Sequence, residues 1–329
     1  MSVVRFGVIG TNTISDRFAE AVRQSQGATI TAVLSRRQET ADAYADRHGI
    51  CGRFCDPAAL FSRAPIDAVY VAAPHALHRA YVLAALSAGK HVLCEKIMAL
   101  TAAEFDEMTC AATAAGRLLV EAMRPAFDPA YDEVRRLLPS LGRLRYARFE
   151  FCQYSSRYDR HKAGEYTRAF DPAYGNAAVM DIGVYPMHVA VMLLGDPADL
   201  TASVRFLPHG FECAGEAHLA YPDAVCDVLW SKVAGSVQPS IILGEDGALE
   251  IDKLSTPSTL WLTMRGQNKQ KIDLTPPQNN MIYEIAAFCD AVGQGALTLP
   301  QMTVSRRTCA LIDRVRTLCG VVFPPLPEA

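Results

Sequence analysis

Lys96 follows Glu95 directly after the apolar run His91-Val92-Leu93-Cys94, and an ammonium group at such a place can act on a bound cofactor. Ligands of open α/β sheets sit in the crevice at the carboxyl ends of the strands. A lysine two residues beyond a strand therefore points at the nicotinamide of a dinucleotide rather than at solvent. Much farther along, Asp181 stands four residues before Tyr185, so on a helix the carboxylate and the phenol share one face and can meet the same substrate hydroxyls. Oxidising an alcohol needs a hydride acceptor and a group that removes the hydroxyl proton. A phenol is a poor base at neutral pH, but an adjacent ammonium favours the phenolate. These residue types make the chain a candidate nicotinamide-dependent oxidoreductase.

The elements that must position these groups are legible in the first 120 or so residues. Residues 3–9 read as a buried strand, and Ile14, Phe18, Ala21 and Val22 fall on one face of a helix that ends near Gly27. Residues 29–34 are a second strand and 39–48 a helix stopped by Gly49. Residues 68–72 are a strand, 76–88 a helix closed by Gly89, and 91–94 and 118–120 two further strands. Short apolar runs alternating with helices imply parallel βαβ units with helices on both faces, the doubly wound dinucleotide-binding architecture. Near Arg124 the pattern changes. Residues 144–151, 217–221, 225–232 and 248–251 alternate like antiparallel strands, with a turn at Gly244-Glu245-Asp246-Gly247 and two late helices at 282–292 and 304–319. The expected fold is α/β: a Rossmann domain over residues 1–123 and a second α/β domain over 124–329 built on a large, open, mainly antiparallel sheet. Its uncovered face is an expected homodimer surface.

The first strand-to-helix turn, Gly10-Thr11-Asn12-Thr13-Ile14-Ser15, keeps only the first glycine of the dinucleotide pattern G-x-G-x-x-G/A. Asn tolerates the left-handed backbone and Ser is small, so both still let a pyrophosphate reach the helix N-terminus. At the end of the second strand, Ser35-Arg36-Arg37 stands where NAD-preferring enzymes carry a carboxylate for the ribose hydroxyls. A serine and two guanidinium groups suit a 2'-phosphate, which predicts NADP(H).

The net charge of -3 is spread without a basic stripe, which gives no reason to propose nucleic acid or an anionic membrane as partner. No apolar run approaches a membrane span or a secretory signal, so a cytoplasmic location is expected, with the ten scattered cysteines reduced. Cys51 and Cys55 form the only close pair, and with no second pair or His cluster nearby they are read as two small buried hydrophobes rather than as a metal site. No metal is expected.

The Gly10 turn, Ala73-Pro74-His75-Ala76-Leu77-His78, Glu95-Lys96 and Met180-Asp181-Ile182-Gly183-Val184-Tyr185, in that order, resemble the Gfo/Idh/MocA family of oxidoreductases over nearly the whole chain. Asp181 to Tyr185 looks like the branch with glucose-fructose oxidoreductase and dimeric dihydrodiol dehydrogenase. Cys152-Gln153-Tyr154-Ser155-Ser156-Arg157-Tyr158-Asp159 resembles NADP-dependent scyllo-inositol dehydrogenases, which share the Gly-Thr-Asn turn. The resemblance implies an active site between a Rossmann domain and a dimer-forming second domain. It implies Lys96 as the active-site lysine, Asp181 as the carboxylate and Tyr185 as the proton-transferring residue. Pro74 would be a wall of the nicotinamide pocket, and His78 a neighbour of the nicotinamide ribose. Gly10, Thr11, Asn12, Ile14, Ser35, Arg36, Arg37, Ala73, His75 and Glu95 complete the expected cofactor contacts; Arg157 and Tyr158 would join Lys96, Asp181 and Tyr185 around the substrate. Ile97 departs from the usual Glu-Lys-Pro, His75 replaces an asparagine, and residues 174–178 replace a glycine run. Asp181 has an alternative reading as the N-cap of the apolar segment that follows, Tyr185 as a core aromatic, and His78 as a helix-surface residue.

The expected function is NADP(H)-dependent hydride transfer to or from a polyol, sugar or cyclic diol. The alternatives are a redox-assisted lyase or glycosidase using bound cofactor, which turns over on trace NADP, and a non-catalytic NADP-binding sensor.

Overall fold

The computed structural model describes residues 3–326. The first half alternates strands and helices without interruption: β1 (Val4–Ile9), α1 (Thr13–Gln24), β2 (Ala28–Leu34), α2 (Gln38–His48), β3 (Gly52–Phe54), α3 (Pro57–Arg63), β4 (Ala68–Val71), α4 (His75–Ser87), β5 (His91–Glu95), α5 (Ala102–Ala115), β6 (Leu119–Ala122) and the short α6 (Arg124–Phe127). The six strands are all parallel, in the order β3-β2-β1-β4-β5-β6. This is a Rossmann sheet, and its strand order reverses direction between β1 and β4, where such sheets take their ligands.

Local chemistry sets the boundaries. Asp56 accepts from the Ala58 and Ala59 amides with Pro57 in the first turn of α3, and Thr101 caps α5 at the Glu104 amide. Gly49 and Gly116 end α2 and α5 in the left-handed conformation. The core between sheet and helices holds Phe18 stacked on Tyr70 at 3.8 Å, with Phe6 edge-on to Phe18 at 5.3 Å.

The second unit carries α7 (Ala130–Leu137), β7 (Leu144–Cys152), α8 (Tyr158–Lys162), a π-helical turn Val179–Gly183, α9 (Val184–Leu194) and then β8 (Asp199–Phe206), β9 (Glu212–Ala220), β10 (Val225–Ser231), β11 (Ser240–Gly244), β12 (Gly247–Ile251), β13 (Thr259–Met264) and β14 (Gln270–Asp273). Its eight strands run β14-β13-β12-β11-β7-β10-β9-β8, antiparallel except for the central parallel pair β7 and β10. Along β10, Cys226, Val228 and Trp230 are buried toward α9 while Val225, Asp227 and Leu229 on the other face are half-buried.

Two late helices follow, α10 (Met281–Gly293) and α11 (Gln301–Cys319). The chain divides into one compact unit ending at Phe127 and regained over Gln278–Arg306, and a second over Asp128–Pro277 and from Arg307 onward. A single crossing near Arg124 does not anticipate that return: α10 packs on α1 and α6 of the first unit, with Phe288 5.5 Å from Phe6.

Three other expectations need correcting. Cys51 and Cys55 are exposed, because they flank the three-residue strand β3 rather than entering the core. Residues Pro172–Leu194 form a helical stretch apolar and long enough to cross a membrane by length and composition. Of its most apolar part 78% is buried inside the protein, as in a core helix. No element was assigned from sequence to residues 52–63 or 102–115, which hold β3, α3 and α5. All ten cysteines are free thiols.

Candidate active site

The residues expected to meet the cofactor gather at the carboxyl ends of β2, β1, β4 and β5, four adjacent strands. Gly10 follows β1 with φ +108°, and a Cβ there would stand 2.6 Å from the Ala72 carbonyl oxygen, so only glycine lets the turn approach the end of β4. That bare backbone beside the N-terminus of α1 is the cradle a pyrophosphate requires. Asn12 is the N-cap of α1: its Oδ1 accepts from the Ile14 and Ser15 amides at 3.1 Å, and its Nδ2 donates to the Ala72 carbonyl at 2.8 Å. The departure from the glycine pattern is thus a cap that also ties two strand ends together. Thr11 and Ile14 are half-buried beside it, and Ser15, small enough to be fully buried, completes the turn.

At the end of β2 the Ser35 amide donates to Phe54 and the Ser35 hydroxyl pairs with Thr40. Arg36 and Arg37 are exposed, and neither guanidinium forms an ion pair among the described residues. Two unneutralised cations at this strand end are what a 2'-phosphate would need.

Pro74 precedes α4, and His75 opens it with its ring 5.6 Å from that of His78. His78 is fully buried, against the helix-surface alternative. Its Nε2 lies 2.8 Å from the Ala73 carbonyl and its Nδ1 3.0 Å from that of Ile97, so it braces the turn after β4 against the turn after β5. Burial pushes its pKa down to about 4 against the Ala73 and Ile97 carbonyls, which favour the protonated ring, and the Lys96 charge adds to the fall.

Lys96 itself is half-buried, and the Lys96–Ile97 peptide bond is cis, so the departure from proline leaves a cis bond in the turn. Glu95 is buried behind it, accepting from the Tyr70 hydroxyl and, at 3.3 Å, from the Lys96 amide. Burial raises the Glu95 pKa, while the Tyr70 hydrogen bond and the Lys96 and Arg124 charges oppose the rise. A second carboxyl that sequence reading missed is also here. Glu284 of α10 is fully buried, neither of its oxygens has a hydrogen-bond partner among the described residues, and burial together with the Glu95 charge holds its pKa far above the carboxylate range. The signal was present: Met281, Glu284, Ile285 and Phe288 share one helix face, and a carboxylate on an apolar stripe marks a buried acid.

In the second unit, Asp181 sits in the π turn ahead of α9, neither as an N-cap nor on a uniform α-helix, so its four-residue spacing to Tyr185 spans a π turn as well as an α turn. Gly183 in that turn is glycine because a Cβ would stand 3.0 Å from the Trp230 ring. The Trp230 indole donates to Glu212 Oε1 at 2.8 Å, and Glu212 Oε2 accepts from the Val179 amide at 2.8 Å, fixing the start of the turn. Burial pushes Glu212 up to about 7 against those two donors. Asp181 pairs with Lys232, Nζ to Oδ2, at 2.8 Å. Tyr185 is 5% exposed with its ring 5.2 Å from Phe151. Arg157 is exposed, while Tyr158 packs 5.5 Å from Phe170 in an aromatic cluster. His188, given no role from sequence, is fully buried. Lys96 belongs to the first unit and Asp181, Tyr185, Arg157 and Tyr158 to the second.

Two family models match the chain: the Gfo/Idh/MocA oxidoreductase family with an NAD-binding Rossmann fold over residues 4–122, and the C-terminal domain of that family over residues 131–250. The chain is 36% identical over 324 residues to a scyllo-inositol 2-dehydrogenase (NADP(+)) of Bacillus subtilis, covering 98% of this chain and 99% of that protein. It is 26% identical to the trans-1,2-dihydrobenzene-1,2-diol dehydrogenase of Mus musculus, covering 98% of each. Among solved structures it resembles a 3-ketoreductase from Actinomadura kijaniata in complex with NADP and TDP-benzene, with a TM-score of 0.87 and 26% identity over 97% of this chain and 98% of that one.

Proposed function

The chain belongs to the Gfo/Idh/MocA family of oxidoreductases, and on that premise we propose that it is an NADP(H)-dependent dehydrogenase or reductase of a polyol, sugar or cyclic diol. The observation that carries the NADP reading is the pair Arg36 and Arg37, exposed and without an ion pair beside the switch point of the sheet, with no carboxylate there for ribose hydroxyls. The relative named for NADP(+) and the neighbour solved with NADP support the same choice. The bound nicotinamide would accept or return the hydride.

The chain's own residues supply the rest. We assign Gly10, Thr11, Asn12 and Ile14 to the pyrophosphate turn, Ser35, Arg36 and Arg37 to the 2'-phosphate, and Ala73, Pro74, His75, His78 and Glu95 to the walls and support of the nicotinamide end. Lys96 would hold the reacting oxygen and bias its proton equilibrium, and Tyr185 would give or take the hydroxyl proton. Asp181 would bind a neighbouring substrate hydroxyl, which suits vicinal diols, polyols and sugars alike. Arg157 and Tyr158 are assigned to recognition of the substrate's outer hydroxyls. We further propose a homodimer through the face of the second sheet that bears Val225, Asp227 and Leu229, the face opposite α9.

The test is net cofactor turnover. Purified protein offered NADP+ with inositols, trans-dihydrodiols and aldoses should accumulate NADPH in step with substrate consumed. Product release on trace NADP without accumulation would instead identify redox-assisted elimination, and NADPH binding without either would identify a sensor.

A further inference from the structure

Lys232 follows β10 and carries no role from sequence, yet it is 5% exposed. A buried ammonium is costly unless it is paired and hydrogen-bonded. Its surroundings meet that demand on every side. Nζ lies 2.8 Å from Asp181 Oδ2 and donates to the Ala169 carbonyl at 3.3 Å. The faces of Phe170 and Phe211 stand 5.2 and 5.5 Å away, an arrangement that favours a cation and leaves little room for the stem to swing. The backbone is fixed as well: the Lys232 amide donates to Cys213 and its carbonyl accepts from Ser155, both at 2.9 Å.

Asp181 is less buried, with 38% of its side chain exposed, so the ion pair has a dry end and a wet end. The carboxylate is the more exposed partner of the two. The π turn that carries it is held from behind by Glu212 at the Val179 amide, and the Lys232 charge also acts on Glu212. Two anchors thus act on one five-residue turn, Glu212 on its backbone and Lys232 on its side chain.

We propose that Lys232 is a positioning residue for the reaction: it holds the Asp181 carboxylate charged and turned so that one face of it meets the substrate hydroxyl. The inference rests on the assignment of Asp181 to substrate binding. On this assignment Lys232 acts on the reaction through Asp181.

The test is a double-mutant cycle on the full chain with Lys232→Met, Asp181→Asn and the double variant. Lys232→Arg is added as the conservative replacement, and NADPH affinity is measured throughout. Methionine keeps an apolar stem against the two rings, and the partly exposed Asp181 can hydrate when its partner is removed, so the single variant keeps a route to folding. The double variant removes both charges together. We expect Lys232→Met to raise the substrate KM and lower kcat/KM by about tenfold or more, with NADPH affinity within about twofold of wild type. The acid limb of its kcat/KM profile should move to higher pH, because an opposite charge has been withdrawn from a carboxylate. Lys232→Arg should recover most of the loss. The double variant should be no worse than Asp181→Asn alone, since partners in one interaction do not add. Full additivity, or a Lys232→Met loss with an unmoved acid limb, would show a merely structural lysine and overturn the inference. Wild-type turnover in Asp181→Asn would remove the assignment on which it rests, and the inference with it.

Discussion

Asn12 Nδ2 donates to the carbonyl oxygen of Ala72 at 2.8 Å while its Oδ1 caps the first turn of α1, so one side chain joins the ends of β1 and β4 at the point where the cofactor turn forms. An N-cap is worth about 1 kcal/mol, and an abandoned carbonyl adds to that. Asn12→Ala should therefore lower the melting midpoint by roughly 2 to 4 °C and weaken NADPH binding, both readable in one thermal-shift titration with and without cofactor. Unchanged binding would mean that the cap serves the helix alone.

Exposed guanidinium groups at the end of β2 give the second prediction. Replacing Arg36 and Arg37 by Ala should cut the preference for NADP over NAD by about tenfold or more, because each charge-assisted hydrogen bond to a phosphate is among the stronger ones. The measurement is the ratio of dissociation constants for NADPH and NADH, and an unchanged ratio would move the 2'-phosphate site elsewhere.

For the proposed chemistry, Lys96→Met and Tyr185→Phe should each keep cofactor binding and lose on the order of 10² to 10⁴ in turnover. Near-normal turnover in both would sink the assignment.

Buried His188 sets an acid limit on stability. Burial holds its folded pKa down to about 3, with the Arg135 charge acting the same way, against about 6.5 unfolded. Below pH 6.5 the unfolded chain takes up a proton that the folded chain refuses. The stabilisation is complete above that pH and is lost progressively on acidification. Between pH 6.5 and 5 the loss is about 2 kcal/mol from this one residue. His188→Leu should flatten that part of the stability profile in urea unfolding. His78, held down to about 4, adds a contribution of the same sign, and Glu212, pushed up to about 7, one of opposite sign. An equally steep profile in the variant would show that His188 is protonated in the folded protein.

Much of the first unit was legible because buried parallel strands read as short apolar runs and their helices end at Gly49 and Gly89. β3 was not, since three half-exposed residues carry no such run. The return of α10 to the first unit is a tertiary choice that periodicity does not encode. The motif with Asp181 and Tyr185 is visible in the sequence, but an apolar period of 3.6 does not announce the π turn between them. Lys232 closes the strand read over 225–232, and nothing beside it along the chain marks it as buried. Its burial depends on Phe170 and Phe211, brought to it from distant segments, and only the folded chain shows that.

The most direct test of the central claim is the initial rate of NADP+ reduction, beside that of NAD+, over inositols, trans-dihydrodiols and aldoses. The account predicts stoichiometric NADPH with at least one of these hydroxylated classes and a kcat/KM at least about tenfold higher for NADP+ than for NAD+. No reduction of either cofactor with any class, or a clear preference for NAD+, would contradict it.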